Sequence, residues 1–295
     1  MSAIAAPAWR ARTSRRRPDG WRWAGRVYLA ALLIFTVLPM AWMLLTSIKS
    51  QFAALQYPPQ WWPAEPTLAN YTKLLSPAND LGARFLRFMW NSFSVSLATT
   101  VLGVAVAVPA AYAFSRFKFP GRTFLFFAVL LRNMFPAVVF LMPLFLLMRW
   151  LGLVNMHASL VLTYLTFSLP LSIWLLKTFF DNIPIQLEQA ARIDGATRFQ
   201  AFLQIVMPLS SPGIIATAIF SFISAWNEYV YAYTLLNRES LMTLPVGVQR
   251  FFAEFAADWP GLMAASFIMS VPVVVMFLVL QKYFVRALTE GAVKA

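Results

Sequence analysis

The stretch LEQAARIDGATRFQAFLQIVMPLSSPG, Leu187 to Gly213, stands apart from the apolar chain on either side of it. It turns amphipathic and carries Glu188, Arg192, Asp194 and Arg198 in close succession. Its punctuation is dense. Asn182 is placed to cap a helix with Pro184 in its first turn. That helix would run through Ile185, Leu187, Ala190, Ala191 and Ile193, with Gly195 closing it as a left-handed C-cap. Thr197 and Gln200 have the spacing of a capping box for a second short helix ending before Pro208. Ser211-Pro212 then starts a new apolar run. The pattern predicts a helix–turn–helix held in water. Two uses compete: a helix lying at lipid headgroups, or a docking element. The nearly balanced charges and the tight capping favour docking, since a lipid-binding face should be basic.

Around this island the chain reads as membrane. Of its 295 residues 60% are hydrophobic and 12% charged, with a mean hydropathy of +0.66. A soluble fold has no place for so much apolar surface. The absence of cysteine excludes disulfides, thiolate metal sites and Cys nucleophiles. One histidine, His157, cannot build a multi-histidine metal site. The net charge is +13, and seven of the 24 Lys and Arg sit in a tail directly before an apolar run, which is how an anchor on anionic lipid looks rather than a nucleic-acid surface.

Charge-poor runs near the ~20 residues needed to cross a bilayer predict an all-α integral membrane protein with six transmembrane helices. The runs are Val27–Ile48, about 88–115, 124–148, 153–176, 212–236 and 261–284. The first is read as a retained signal anchor. The organisation is then a basic tail (1–26), a first span (27–48), an external loop (49–87), a core of five spans (88–285) that includes the 181–211 loop, and a short tail (286–295). Sixteen Lys and Arg fall on the side of the termini. Seven (Lys49, Lys73, Arg84, Arg87, Arg149, Arg238 and Arg250) fall on the other, and Arg132 lies within a span. The positive-inside rule places both termini, and with them the 181–211 loop, in the cytoplasm.

The outer loop YPPQWWPAEPTLANYTKLL (Tyr57–Leu75) should begin stiff and extended, with Trp61 and Trp62 suited to the interfacial belt. The second outer loop, Asn237–Pro260, has the composition for a short helix. Each is compatible with docking a partner or with merely connecting helices. Within the spans, Glu228 and Arg132 are costly and therefore of interest, but their depths differ by roughly 12 Å, so no direct pair is assumed. Trp226, Asn227, Glu228 and Tyr229 form a candidate translocation path, against helix–helix hydrogen bonding as the plainer alternative. His157 reads as a structural donor.

Gln189-Ala190-Ala191, then Gly195, then Ile205, Met207 and Pro208 resemble the cytoplasmic "EAA" loop of ATP-binding-cassette (ABC) importer permeases at its spacing. Gln189 stands where the motif has Glu, with Glu188 one residue earlier, and Met207 replaces Leu. The stretches PPQWWPAEPTLANY, FSRFKFPGR, EQAARIDGAT, AWNEY, TLPVG and LTEGAVKA extend the likeness over most of the chain. Together they resemble the second permease subunit of carbohydrate importers of the maltose/trehalose type. The resemblance implies the type I importer permease fold in a bacterial plasma membrane, importing a disaccharide or small oligosaccharide. It further implies a second permease subunit, a homodimeric ATPase bound at Glu188, Gln189, Ala190, Ala191, Asp194, Gly195, Ile205, Met207 and Pro208, and an external solute-binding protein. ATP and magnesium would belong to the ATPase, because this chain has no phosphate-binding Gly-x-x-x-x-Gly-Lys-Ser/Thr loop and no cofactor of its own is expected.

The competing class is an ATP-independent secondary carrier of a small polar solute. Such carriers show internal repeats and a midplane charge site, and neither is evident. A membrane-embedded enzyme would need convergent acid–base groups or a metal. A scaffold or receptor subunit would show no dependence on transport. None of these explains the EAA-like loop.

Overall fold

In hydrocarbon every backbone N–H and C=O needs an internal partner, and the described residues meet that demand with helices throughout. The computed structural model describes residues 19–254 and 258–292. In chain order the helices are α1 (Asp19–Ser47), α2 (Gln51–Leu55), α3 (Ala69–Leu75), α4 (Asp80–Arg116), α5 (Arg122–Leu131), α6 (Leu141–Trp150) and α7 (His157–Asp181). They continue as α8 (Ile185–Ile193), α9 (Arg198–Ala201), α10 (Met207–Leu209), α11 (Ser211–Trp226), α12 (Val230–Leu235), α13 (Leu244–Glu254) and α14 (Trp259–Ala292). Four of them (α1, α4, α7, α14) are single helices long and apolar enough to span a membrane, and bent helix pairs raise the number to six.

Helix ends depart from the hydropathy boundaries because charge ends an apolar run without ending a helix. α1 begins at Asp19 rather than Val27, and the Arg26 guanidinium lies over the Trp23 ring. α4 begins at Asp80 rather than at Phe88, where Asn79 accepts the Gly82 N–H and Asp80 adds a negative charge at the positive end of the helix dipole. α14 likewise overruns its predicted span at both ends, Gly261 and Phe284.

Two spans expected to be continuous are broken. The third bends by 102° between Arg122–Met134 and Ala137–Trp150. Pro136 sits at that break, where its ring denies the ladder an N–H. Prolines 39, 109, 170 and 272 remain inside unbroken helices. The fifth run is α11, which at about 1.5 Å per residue is only ~24 Å long. Asn227–Tyr229 interrupts it before α12. The Glu228 carboxylate makes the interruption tolerable by accepting the Tyr231 and Ala232 N–H groups at 2.8 and 3.1 Å, as an N-cap would.

α4 packs chiefly on α7 and α11, and α1 on α14. Buried apolar side chains fall into two clusters. The outer one gathers Phe85, Phe88, Val95, Leu160, Trp226, Leu235, Met242 and Leu244, among others. The inner one is built from Ala107, Val108, Ala111, Ile173, Leu176, Phe180 and Val206. Polar residues occupy the gap between them, with Ser96, Thr99 and Thr100 on α4 and Ser168 and Ser172 on α7 all buried.

The outer loops are fastened to this frame. Lys49 is buried; its ammonium donates to the Gln60 carbonyl and lies over the Trp42 ring, against which Trp61 packs edge-on at 5.0 Å. Burial lowers the Lys49 pKa. Asn70 donates to the carbonyls of Ser47 and Lys49, closing the first loop onto the end of α1. In the second loop Asn91 donates to the Ser240 and Met242 carbonyls, and the Leu244 N–H donates to the Ser92 hydroxyl. His157 Nε2–H donates to the Leu241 carbonyl at 2.9 Å, the structural role expected of it. The short helix expected in this loop is α13.

Candidate coupling loop and membrane groove

The 181–211 loop is a helix–turn–helix with altered caps. Asn182 closes α7 instead of opening α8, whose N-cap position is Pro184. Gly195 turns the chain at φ 93°, the left-handed region that glycine enters without steric cost. Thr197 and Gln200 form the reciprocal capping box, with bonds of 3.2 and 2.8 Å. The second helix does not stop before Pro208. After α9 it widens into a π-helical turn over Phe202–Val206 and continues through α10, meeting α11 at 72°. The extra residue of a π turn frees the carbonyl that the Pro208 ring would otherwise oppose.

α8 is bolted to the inner end of α4. Arg116 Nε donates to Glu188 Oε1 at 2.5 Å, its Nη2 donates to the Ile183 carbonyl at 2.9 Å, and the Tyr112 hydroxyl donates to Glu188 Oε2 at 2.7 Å. Both side chains of the ion pair are only 9% exposed. The Tyr112 ring lies 4.5 Å from that of Phe202, so the same residue also braces the π turn. Beside this pair, the Ser115 hydroxyl donates to Asp181, which Lys177 also bridges. The Glu188 carboxylate is therefore spent within the chain. Gln189, the residue at the motif's Glu position, is exposed, as are Ala190, Asp194, Gly195 and Pro208, while Ala191, Ile205 and Met207 are half-buried. Ile193 and Phe199 are 86% and 67% exposed, an apolar pair on a loop predicted to face water.

The four residues proposed for a translocation path part company. Trp226 is 1% exposed, with its indole N–H donating to the Met269 carbonyl on α14, so it is packing. Tyr229 stacks on Tyr233, and Asn227 is exposed at the break. Only Glu228 lines an open groove, of about 300 Å³, shared with Thr99, Tyr164, Ser168, Ser221 and Tyr231. The Tyr164 hydroxyl donates to Glu228 at 2.7 Å. Arg132 forms no ion pair with Glu228. Its guanidinium stacks 3.4 Å above Phe167, a ring that also lines the groove, and donates to Asn133.

Sequence reasoning missed Arg116 as the partner of Glu188 because it counted that residue only as an inside charge. The buried hydroxyls were hidden inside runs defined by average hydropathy.

Residues 100–290 match the family model described as "Binding-protein-dependent transport system inner membrane component". The sulfoquinovosyl glycerol transport system permease protein SmoH of Agrobacterium fabrum is 38% identical over 89% of this chain and 90% of its own. The trehalose transport system permease protein SugB of Mycobacterium tuberculosis is 36% identical, over 88% and 93%. A chain in the crystal structure of a bacterial ABC transporter that imports the acidic polysaccharide alginate superposes with a TM-score of 0.75 at 25% identity, covering 91% of this chain and 98% of its own. A helical frame of this shape and a family match over most of its length agree: the chain belongs to the binding-protein-dependent transport system inner membrane components, as a multi-pass permease subunit of a bacterial ABC transporter.

Proposed function

We propose that this chain is the second permease subunit of a carbohydrate importer that moves a disaccharide or small oligosaccharide into the cytoplasm at the expense of ATP hydrolysed on a separate, homodimeric ATPase. The names of its relatives, which carry trehalose and sulfoquinovosyl glycerol, support a saccharide cargo. An external solute-binding protein delivers the sugar, and a second permease subunit completes the path.

The observation that carries the reading is the capped loop on which the apolar side chains of Ile193 and Phe199 stand exposed, as does Gln189. Exposed apolar side chains on a capped loop are suited to docking the ATPase. Only contacts that differ between the two states of the ATPase can drive the permease. With Glu188 held by Arg116, displacement of α8 is handed to α4 and through it to the inner core. Because the chain has no cysteine, Ile193→Cys supplies a unique thiol. It should crosslink to a cysteine on the ATPase in membranes, with a yield that changes on ATP binding. No crosslink at Ile193 or Phe199, in membranes that import sugar with ATP, would refute docking at this face.

A further inference from the structure

The α8 face turned toward α4 carries Ile185, Glu188, Gln189 and Arg192, at the i, i+3, i+4 and i+7 spacing that puts side chains on one side of a helix. Between this face, the inner end of α4 and the start of α9 lies a hollow of about 130 Å³. Tyr112, Arg116 and Phe117 line it from the side of α4, and Arg198 from that of α9.

The loop's charges look balanced in the sequence, but the structure separates them. Arg116 and Tyr112 occupy both oxygens of Glu188, and Asp181 is held by Lys177 and Ser115. Asp194 does not line the hollow. Arg192 and Arg198 are left over, both exposed and neither in an ion pair among the described residues. Three guanidiniums against one carboxylate leave two positive charges in excess around one small space. Such charges repel, and an anion between them turns the repulsion into attraction. Guanidinium groups suit phosphate oxygens, which their forked N–H donors match. The volume is well below the ~300 Å³ at which sites for whole small molecules begin, so a single phosphate group fits and a disaccharide does not.

The depth of the hollow names the source of that phosphate. Just past Arg122, α5 presents Phe124, Leu125 and Phe127 as exposed apolar side chains, a lipid-facing surface. The turn 117–121 joins the end of α4 to that boundary, and Lys118 stands exposed on it. The hollow therefore lies at headgroup level, and the exposed Phe117 and Ile185 give it an apolar border. Basic pockets at the ends of membrane helices hold acidic lipid heads in this way. A carboxylate from a partner protein would meet the charges but has no use for the apolar border.

We propose that this hollow is a phospholipid site. The phosphate of an anionic lipid sits between Arg192 and Arg198, with its acyl chains beside Phe117, in the leaflet on the loop's side (the cytoplasmic one by the count of Lys and Arg). The lipid fastens α8 and α9 to the membrane next to the Arg116–Glu188 pair. The site is independent of which solute the complex moves.

The test uses the whole complex that purifies with this chain, in nanodiscs of phosphatidylcholine with photoactivatable phosphatidylglycerol as the minor lipid. The readout is the crosslink yield on peptides covering 112–117 and 185–201, followed as the phosphatidylglycerol fraction is raised. The yield should saturate in the wild type. The half-saturating fraction should rise about fivefold in Arg192→Gln or Arg198→Gln and roughly 25-fold in the double variant. Neither guanidinium holds another part of the protein, so the unfolding temperature should stay level. Lys118→Gln removes an exposed cation outside the hollow and should leave the curve where it is. A yield that never saturates, or an equal loss in Lys118→Gln, would reduce the site to the diffuse field of a basic surface and overturn it. Full displacement of the lipid by inorganic phosphate would make it a site for free anions instead. Unchanged crosslinking with release of the ATPase from the double variant would give the hollow to a carboxylate of that partner, which also overturns the lipid.

Discussion

Replacing Arg116 by Met strips away the guanidinium that joins α8 to α4 while keeping most of the apolar stem. Arg116 and Glu188 are each 9% exposed, so truncation leaves the Glu188 carboxylate largely desolvated without its cation. Breaking one partner of a buried pair costs about 3–5 kcal/mol. Tyr112 still donates to Glu188 in the variant, which argues for the lower end. A loss of about 3 kcal/mol multiplies the open population of the loop roughly 150-fold. Hydrogen exchange measured on the purified complex should therefore accelerate by about two orders of magnitude at the α8 and α9 amides. Arg192→Met, at an exposed position on the same helix, should stay within about 0.5 kcal/mol. Arg116→Met combined with Glu188→Leu removes both charges and should recover most of the loss, because an apolar pair can replace a buried ion pair at little cost. The single variants should also hydrolyse more ATP per sugar moved. Loop exchange within threefold of wild type in Arg116→Met, or a double variant worse than either single one, would refute the clamp.

Gly195→Val forces a β-branched residue to φ 93° and should cost roughly 1–2 kcal/mol. A Cβ there meets nothing within 4 Å, so the chain should insert normally while ATPase co-purification falls; Gly195→Asn, which tolerates left-handed backbone, should be milder, and quantitative pull-down checks both. Glu228→Ala removes the cap of α12 and should lower its local stability by about 0.5–2 kcal/mol, read as faster exchange at Tyr231 and Ala232, whereas Glu228→Gln keeps an acceptor oxygen and should lose less. Lys49→Ala deletes the contacts to Gln60 and Trp42 and should loosen the first outer loop by about 2 kcal/mol, seen as proteolytic cutting near Trp61 and Trp62 at least tenfold faster.

Average hydropathy was enough to read an all-α membrane protein, because the cost of burying charge in lipid is nearly independent of tertiary detail. The loop's turn was legible too. Gly195 and the Thr197–Gln200 box are local devices whose geometry depends on a handful of adjacent residues. The broken spans were not legible. Pro136 marks a 102° bend whereas Pro109 and Pro170 sit inside unbroken helices, so the presence of a proline does not by itself say where a span breaks. Asn182 does not open α8 because α7 runs on and takes the residue as its own C-cap. The site was half legible. Spacing located the helix–turn–helix, but the pairing of Arg116 with Glu188 joins residues 72 apart in sequence, and the groove depends on three helices meeting. Trp226, chosen for the company it keeps in AWNEY, proved to be packing against α14.

The most direct measurement is to tag this chain, extract it gently from its native membrane, and identify what comes with it. The account predicts an ATPase and a second multi-span permease in stoichiometric amounts, with ATP-dependent sugar uptake when the complex and its binding protein are reconstituted. A chain that emerges alone and carries solute without ATP would contradict it, leaving the Gln189–Pro208 loop with nothing to grip.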